Sequence, residues 1–426
     1  MSATSISADP RPAVDPGDVR LAGRPGAVSL WAAAPPRNMP SMRFTPLEKT
    51  ASRIRWLRLA GAALVVLAAA APATAAMAAP GAVSVARQLE GVTCPRAGSC
   101  WAVGGQTVSG KTGPLIEHWT GRKWVVAHTP AAPGAALYAV SCLSRSSCWA
   151  VGGATPGSET HASIAEHWNG QKWSLRVVPQ PAGSEGAILT GVSCPSAGRC
   201  WAVGGTDPFR LGGTALAEHW TGKRWSVVPT PAFAAADLAA VACRSDVNCW
   251  AVGGDVGGPP PRTGHWNGTR WRSVAAAPNT GGGLGAIACP GRQCVAAGAG
   301  GFPSAIAERW TGTRWTLLSI PPIQGLNFSN LRGLACFSAT NCIGVGSYGT
   351  GSVIKTFVLR LRRSKWTQVR SPNPARAGLA QLGGLSCTGR TNCWAVGWKS
   401  KSTFGTPDAT LAEHWNGSHW STVATP

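Results

Sequence analysis

Residues 194–205 read Cys194-Pro-Ser-Ala-Gly-Arg-Cys200-Trp201-Ala-Val-Gly-Gly205. Close copies of this stretch recur six more times along the chain, and the seven copies together hold all 14 cysteines. Their first cysteines follow one another at intervals of 46 to 52 residues. Such regular spacing indicates a chain built from seven copies of one module.

Each copy begins a pattern that is typical of four short β-strands. In the third repeat the strands are expected at residues 189–194, 200–204, 215–220 and 225–228, with Gly and Pro between them. No helical periodicity appears after residue 78. The sequence therefore predicts an all-β fold, a seven-bladed β-propeller with four antiparallel strands per blade, over residues 89–426.

The cysteines are spaced for one disulfide within each repeat. Six pairs follow C-x5-C and the fifth follows C-x4-C, and each pair flanks one hairpin turn. Residues that flank such a turn face each other within bridging distance. We expect these bonds: Cys94–Cys100, Cys142–Cys148, Cys194–Cys200, Cys243–Cys249, Cys289–Cys294, Cys336–Cys342 and Cys387–Cys393.

The chain contains 21 Trp but only 2 Tyr and 8 Phe, so tryptophan also belongs to the repeated module. The fourth strand has Trp in all seven repeats, the third in six and the second in five. Residues repeated in every blade are more often core than ligand platforms, so we expect them to fill the wedges between blades. Stacking against carbohydrate is the alternative.

The order of these features resembles the kelch repeat. In the third repeat it appears as Val203-Gly204-Gly205, then Trp220, Trp225 and Pro229. Kelch repeats usually have Tyr where this chain has Trp220, and they have no cysteine pair. The turn of residues 219–225 is also similar to a degenerate sialidase-type Asp-box that lacks its Asp. The kelch resemblance extends to the central domain of galactose oxidase. Both resemblances imply a propeller fold, and neither implies a function for this chain.

The start of the chain is expected to lie outside this domain. Basic residues, an apolar run over 59–71 and small residues at 73–78 are typical of a secretory signal peptide of bacterial type. We therefore divide the chain into an extension or wrongly assigned start (1–41), a signal peptide (42–78), a linker or closing strand (79–88) and the propeller (89–426). An uncleaved anchor is the alternative to cleavage. Paired cysteines agree with a secreted, extracellular protein, either free or associated with a cell wall.

The net charge is +22 although only 13% of residues are charged. In a four-stranded blade, the turns between strands one and two and between strands three and four lie on the same face. These turns are rich in cations, and Asp246 is their only acid. The predicted anionic-polymer face consists of Arg96, Arg122, Lys123, Arg145, Lys172, Arg199, Lys223, Arg224, Arg244, Arg270, Arg292, Arg314, Arg363, Lys365 and Arg390. A charge that serves only solubility is the alternative.

The opposite face carries loops that differ in length and composition between repeats. Such loops on a rigid scaffold suit specific recognition of a partner. Scattered acids are expected there: Glu159, Glu185, Asp207, Asp237, Asp255 and Asp408.

No residue set indicates catalysis, a cofactor or a metal. A galactose-oxidase copper site would need tyrosines and an unpaired cysteine, but only Tyr138 and Tyr348 are present. Glu and His recur in the third strands, as in Glu218-His219, but repetition around a ring keeps them apart. We expect them to form hydrogen bonds within their own blades.

These observations favour a monomeric binding or scaffold module that recognises an extracellular polysaccharide, wall polymer or protein. Nucleic acid is a poor candidate because secretion separates the chain from it. An extracellular lyase or glycosidase is the alternative. A cluster of titratable residues at the mouth of the channel or on the face of variable loops would favour that enzyme, and a bare, neutral mouth would count against it.

Overall fold

A computed structural model describes residues 85–426, apart from 156–161, 208–212, 231–236, 255–260, 279–280, 301–303, 323–327, 351–352, 376 and 404–406. The predicted extension (1–41) and signal peptide (42–78) lie outside the described residues. In the described part, no helix is long and apolar enough to cross a membrane.

The described residues form 28 β-strands, and all-β architecture is confirmed. In chain order they are β1 Val85–Arg96, β2 Ser99–Val108, β3 Lys111–Trp119, β4 Trp124–Val126, β5 Ala135–Ser144, β6 Ser147–Ala154, β7 Ile164–Trp168, β8 Trp173–Arg176, β9 Ala187–Ser196, β10 Arg199–Thr206, β11 Ala215–Trp220, β12 Trp225–Val227, β13 Leu238–Ser245, β14 Asn248–Gly253, β15 Arg262–Trp266, β16 Trp271–Val274, β17 Gly282–Ala288, β18 Val295–Gly300, β19 Ala305–Trp310, β20 Trp315–Leu317, β21 Phe328–Ser338, β22 Asn341–Thr350, β23 Val353–Arg362, β24 Lys365–Val369, β25 Leu379–Gly389, β26 Asn392–Ser400, β27 Ala409–Trp415 and β28 Trp420–Val423.

Successive groups of four strands pair antiparallel, as predicted, and define repeats 1 to 7. In repeat 3, β9 pairs with β10, β10 with β11, and β11 with β12. The first two strands of most repeats run past the cysteines, so their turn is shorter than the whole inter-cysteine segment. The segment expected as a linker or closing strand contributes residues 85–88 to β1, where they pair with β2.

All seven predicted disulfides are present, each within one repeat. The Cα atoms of each pair lie 4.0 to 4.1 Å apart. In repeats 2, 4, 6 and 7 the two cysteines are direct partners across the hairpin. The described residues contain no free cysteine.

The glycine doublet that ends the second strand has a steric cause. The first strand carries a β-bulge there, which brings its backbone close to the second strand. A Cβ atom on Gly204 would collide with the carbonyl oxygen of Ile188. Only glycine accommodates this approach.

Tryptophan rings join each repeat to the next. Trp149 of β6 lies 4.6 Å from Trp220 and 5.1 Å from Trp225, measured between ring centroids. Those two rings belong to the third and fourth strands of repeat 3. The fourth-strand tryptophans are all buried, which confirms their role in the core. Repeats 5 and 6 have Val295 and Ile343 at the second-strand position, where both remain buried.

The same contacts join repeat 7 to repeat 1. Trp394 of β26 lies 4.5 Å from Trp119 and 5.2 Å from Trp124. The backbone N–H of Cys94 donates to Ser386 Oγ at 3.0 Å. The equivalent bond joins repeats 2 and 3, where the Cys194 N–H donates to Ser141 Oγ at 3.2 Å. The ring therefore closes by side-to-side packing, and the first strands of all repeats surround a central channel. This is the arrangement of a β-propeller.

Candidate functional site

In repeats 1 to 4 and 7 the two cation-rich turns lie against each other. A Cβ atom on Gly121, in the turn between β3 and β4, would lie 3.3 Å from the carbonyl oxygen of Gly98, in the turn between β1 and β2. In repeat 2, Trp168 Nε1 donates to the carbonyl oxygen of Arg145 at 2.9 Å. The same bond, at 3.0 Å, joins Trp415 to Arg390 in repeat 7. We call the face formed by these turns the turn face.

The predicted cations of the turn face are exposed, and one of them, Arg199, can be placed by its partners. Arg199 Nε lies 3.9 Å from Asp246 Oδ2, which belongs to the next repeat. Asp246 also accepts a 2.7 Å bond from Ser196 Oγ. Arg360 of β23, which is not among the predicted cations, lies 5.9 Å from the Trp415 ring centroid. Burial lowers the pKa of Arg360, and nearby Arg362 and Arg390 lower it further.

The turn face also contains a pocket of about 250 Å³ between repeats 4 and 5. Arg244 and Arg292, both predicted from the sequence, line it together with His265 and the rings of Trp250 and Trp310. Arg292 lies in the shortened C-x4-C turn of repeat 5. Cations beside aromatic rings form a suitable lining for an anionic group.

The opposite face, formed by the loops, contains a cleft of about 310 Å³ between repeats 1 and 2. Arg87, Gln106, Tyr138 and Thr155 provide polar groups, and Pro407 of repeat 7 lies at its edge. Of the acids expected on this face, Glu159 and Asp255 lie outside the described residues.

The central channel has a volume of about 170 Å³ and is lined by the middle of each first strand. Most of its lining is small, but Glu90, Tyr138 and Arg332 are titratable. Arg332 Nη1 lies 3.9 Å from Glu90 Oε2. Burial raises the pKa of Glu90, and Arg332 opposes that rise. Burial also raises the pKa of Tyr138, as does the nearby Glu90.

Sequence reasoning missed this channel set, although a signal for it exists. The residue that follows the first-strand leucine differs in type between repeats, while its neighbours stay small or apolar. In repeats 1, 2 and 6 the segment reads Leu-Glu-Gly, Leu-Tyr-Ala and Leu-Arg-Gly. Aligning the seven copies at that leucine would have separated these residues from the scaffold.

The repeated third-strand carboxyl groups bond to neighbouring repeats, so the expected bonds within blades are wrong for them. Glu166 accepts 2.8 Å bonds from Thr129 Oγ1 of repeat 1. Glu413 accepts from Ser371 of repeat 6 at 2.9 Å. These carboxyl groups sit at the wedge between repeats, where the tail after the preceding fourth strand reaches them. Burial raises the pKa of both to about 7 despite the hydroxyl bonds.

Glu218 is the exception to this pattern. Both of its side-chain oxygens are buried without a hydrogen-bond partner. Val178 stands five residues after Trp173, the position that Thr129 holds after Trp124. Burial raises the pKa of Glu218 to about 8. The neighbouring repeat therefore lacks the hydroxyl that this carboxyl group needs.

Five third-strand histidines lie against second-strand tryptophans, and four of them bond within their own repeats, His219 being the exception. His118 lies 4.2 Å from Trp101, and its Nε2 is 2.9 Å from Ser99 Oγ. His414 Nε2 is 2.6 Å from Asn392 Oδ1. Burial lowers the pKa of both histidines, and Arg96 adds to the effect at His118. Among the described residues, no group of three or more His, Cys, Asp or Glu side chains is placed to hold a metal ion.

No protein-family model matches this sequence, and no curated protein matches it. The chain is similar to the solved structure of YCF48 bound to D1 peptide, at 11% identity and a TM-score of 0.49, covering 78% of this chain and 94% of that one. It is also similar to the solved structure of a PL25 ulvan lyase bound to -[GlcA(1-4)Rha3S]-, at 9% identity and a TM-score of 0.49. That match covers 79% of this chain and 98% of the lyase chain. A third similar structure is Sqt1 of Chaetomium thermophilum bound to the N-terminus of ribosomal protein L10, at 12% identity and a TM-score of 0.45. That match covers 79% of this chain and 86% of the Sqt1 chain. Such distant likeness transfers no function to this chain.

Proposed function

We propose that this chain is a secreted, seven-bladed, kelch-like β-propeller that binds an anionic extracellular polymer through its turn face. Each four-stranded repeat is one blade in this proposal. The seven disulfides fit an oxidising compartment outside the cell.

One observation carries the proposal: the exposed cations of all seven repeats lie in turns that share one face, with a single acid among them. That acid, Asp246, is already engaged by Arg199 and Ser196. A surface of one charge sign attracts a polyanion over roughly 10 Å at moderate ionic strength. A repeated arrangement suits a repeated ligand such as a charged polysaccharide or wall polymer.

The test measures retention of the full chain on immobilised polygalacturonate and wall teichoic acid in a salt series. We expect retention to fall steeply as salt rises, because salt screens exposed charges. The double variant Arg122→Gln/Lys123→Gln should elute earlier than the wild type. Its matched control is Lys111→Gln/Lys401→Gln, which removes the same charge from exposed positions outside these turns.

Equal elution of the two double variants would show that charge acts only through its total, as a solubility device. Retention that ignores salt would contradict the proposal outright. The titratable channel residues Glu90, Tyr138 and Arg332 are a feature that favours the alternative lyase or glycosidase. The same incubations separate that enzyme from binding, because an enzyme shortens the polymer. In our proposal the polymer keeps its length.

A further inference from the structure

The first strand of every repeat carries a β-bulge at the same position. The strand register shifts by one residue there, so one residue per repeat is left without a ladder partner. All seven of these residues line the central channel. In repeat order they are Glu90, Tyr138, Thr190, Ala239, Gly285, Arg332 and Gly383.

The fold does not need a large or charged side chain at this position. Repeats 4, 5 and 7 form the same bulge with Ala239, Gly285 and Gly383. Placing a carboxyl group there costs free energy, because the Glu90 side chain is only 16% exposed. Bulges are used near binding sites to re-aim a side chain. The bulge itself therefore does not require Glu90, Tyr138 or Arg332.

These three side chains form one polar arc of the channel. Glu90 reaches Arg332 across repeat 7, where the bulge residue is Gly383. A Cβ atom on Gly383 would lie 3.2 Å from Glu90 Oε2, so the space left by glycine holds the carboxyl group. Tyr138 follows Glu90 on its other side, in repeat 2. The opposite arc, at Ala239 and Gly285, is small and apolar.

The arc combines three kinds of group that recognise one kind of ligand. Arg332 is 46% exposed and makes a single contact at 3.9 Å, so most of its N–H donors remain open to a second anion. A guanidinium binds a carboxylate through two parallel hydrogen bonds. Glu90 accepts from hydroxyl groups, and an aromatic ring such as that of Tyr138 covers an apolar face.

We propose that the channel binds one carboxylated sugar residue between Arg332, Glu90 and Tyr138. The volume of about 170 Å³ lies below the roughly 300 Å³ at which sites for larger ligands begin, so a single ring fits better than an oligomer. This site lies in the channel, away from the turn face, and does not depend on polymer binding there.

The competing explanation is that Arg332 and Glu90 only tie repeat 6 to repeat 1. Titration calorimetry of the full chain with D-glucuronate and D-galacturonate, and with D-glucose and D-galactose as neutral counterparts, separates the two. We expect at least one uronate to bind with a stoichiometry of one, about tenfold or more tightly than its neutral counterpart. Arg332→Gln should abolish this preference, and Tyr138→Phe should preserve most of it.

Thr190→Ala is the matched control, because Thr190 is a bulge residue of the same channel whose hydroxyl already donates to the Leu238 carbonyl oxygen at 2.7 Å. It should bind the uronate as the wild type does. Circular dichroism and thermal unfolding of each variant check the fold. Should Arg332→Gln not fold, Arg332→Ala replaces it with the same expected result, because repeat 4 forms the same bulge with Ala239. Absence of uronate binding to the wild type overturns the proposal. So does an Arg332→Gln protein that is less stable yet binds uronate unchanged.

Discussion

Replacing Val178 with threonine should give the buried Glu218 the hydroxyl donor that its equivalents already have. Burial raises the pKa of Glu218 to about 8. The pKa of Glu166, also raised by burial but lowered by its bond from Thr129, is about 7. One pKa unit corresponds to about 1.4 kcal/mol. At pH values where Glu218 ionises, the Val178→Thr variant should therefore gain about 1 kcal/mol of unfolding free energy.

The sign of the effect depends on pH. The ordinary pKa of a glutamate is 4.5, so the unfolded chain loses this proton well before the folded chain does. The folded state is therefore penalised progressively as pH rises from 4.5 to about 8. We expect Val178→Thr to stabilise the protein at pH 8 by about 1 kcal/mol more than at pH 5.

Urea unfolding followed by tryptophan fluorescence at the two pH values measures this difference. The reverse change, Thr129→Val at the junction of repeats 1 and 2, is the control and should destabilise the protein more at pH 8 than at pH 5. A Val178→Thr effect of equal size at both pH values would refute the reasoning, because the new hydroxyl would then not act through ionisation of Glu218.

Three further predictions concern stability. Between pH 6.5 and 8 the free energy of unfolding should fall, because burial raises the pKa values of Glu117, Glu166 and Glu413 to about 7. Urea unfolding measured at steps of half a pH unit checks this, and a rise over that range would contradict it. Trp149→Ala should cost about 3–5 kcal/mol by opening a cavity between repeats, and Val295→Ala, at the equivalent position, less; equal losses would contradict the wedge role. Replacing the Cys194–Cys200 pair by alanines should cost about 2 kcal/mol of unfolding free energy, measured without reductant.

The strands, disulfides and tryptophan core could be predicted because each depends on residues close in sequence and repeated in every copy. Cys194 and Cys200 are six residues apart, and the hairpin between them is local. The burial of Trp225 follows from its recurrence in every fourth strand.

The contacts between repeats were harder to predict, because the sequence does not show which residue of one repeat faces a given side chain of the next. Glu166 bonds to Thr129, which stands 37 residues earlier in a different blade. The channel set was missed for a related reason: Glu90 and Arg332 meet only when repeats 1 and 6 are brought together around the ring. The residues next to Glu90 and Arg332 in the sequence do not indicate this contact.

The short spacing of the cysteine pairs has a consequence for how the chain acquires its covalent bonds. Each cysteine's correct partner is also the nearest cysteine along the chain, six residues away in six repeats and five in the other. Oxidation can therefore proceed correctly one hairpin at a time, before the ring exists. No covalent bond depends on the junction between the first and last repeats, so closing the ring can be the final, reversible step of folding.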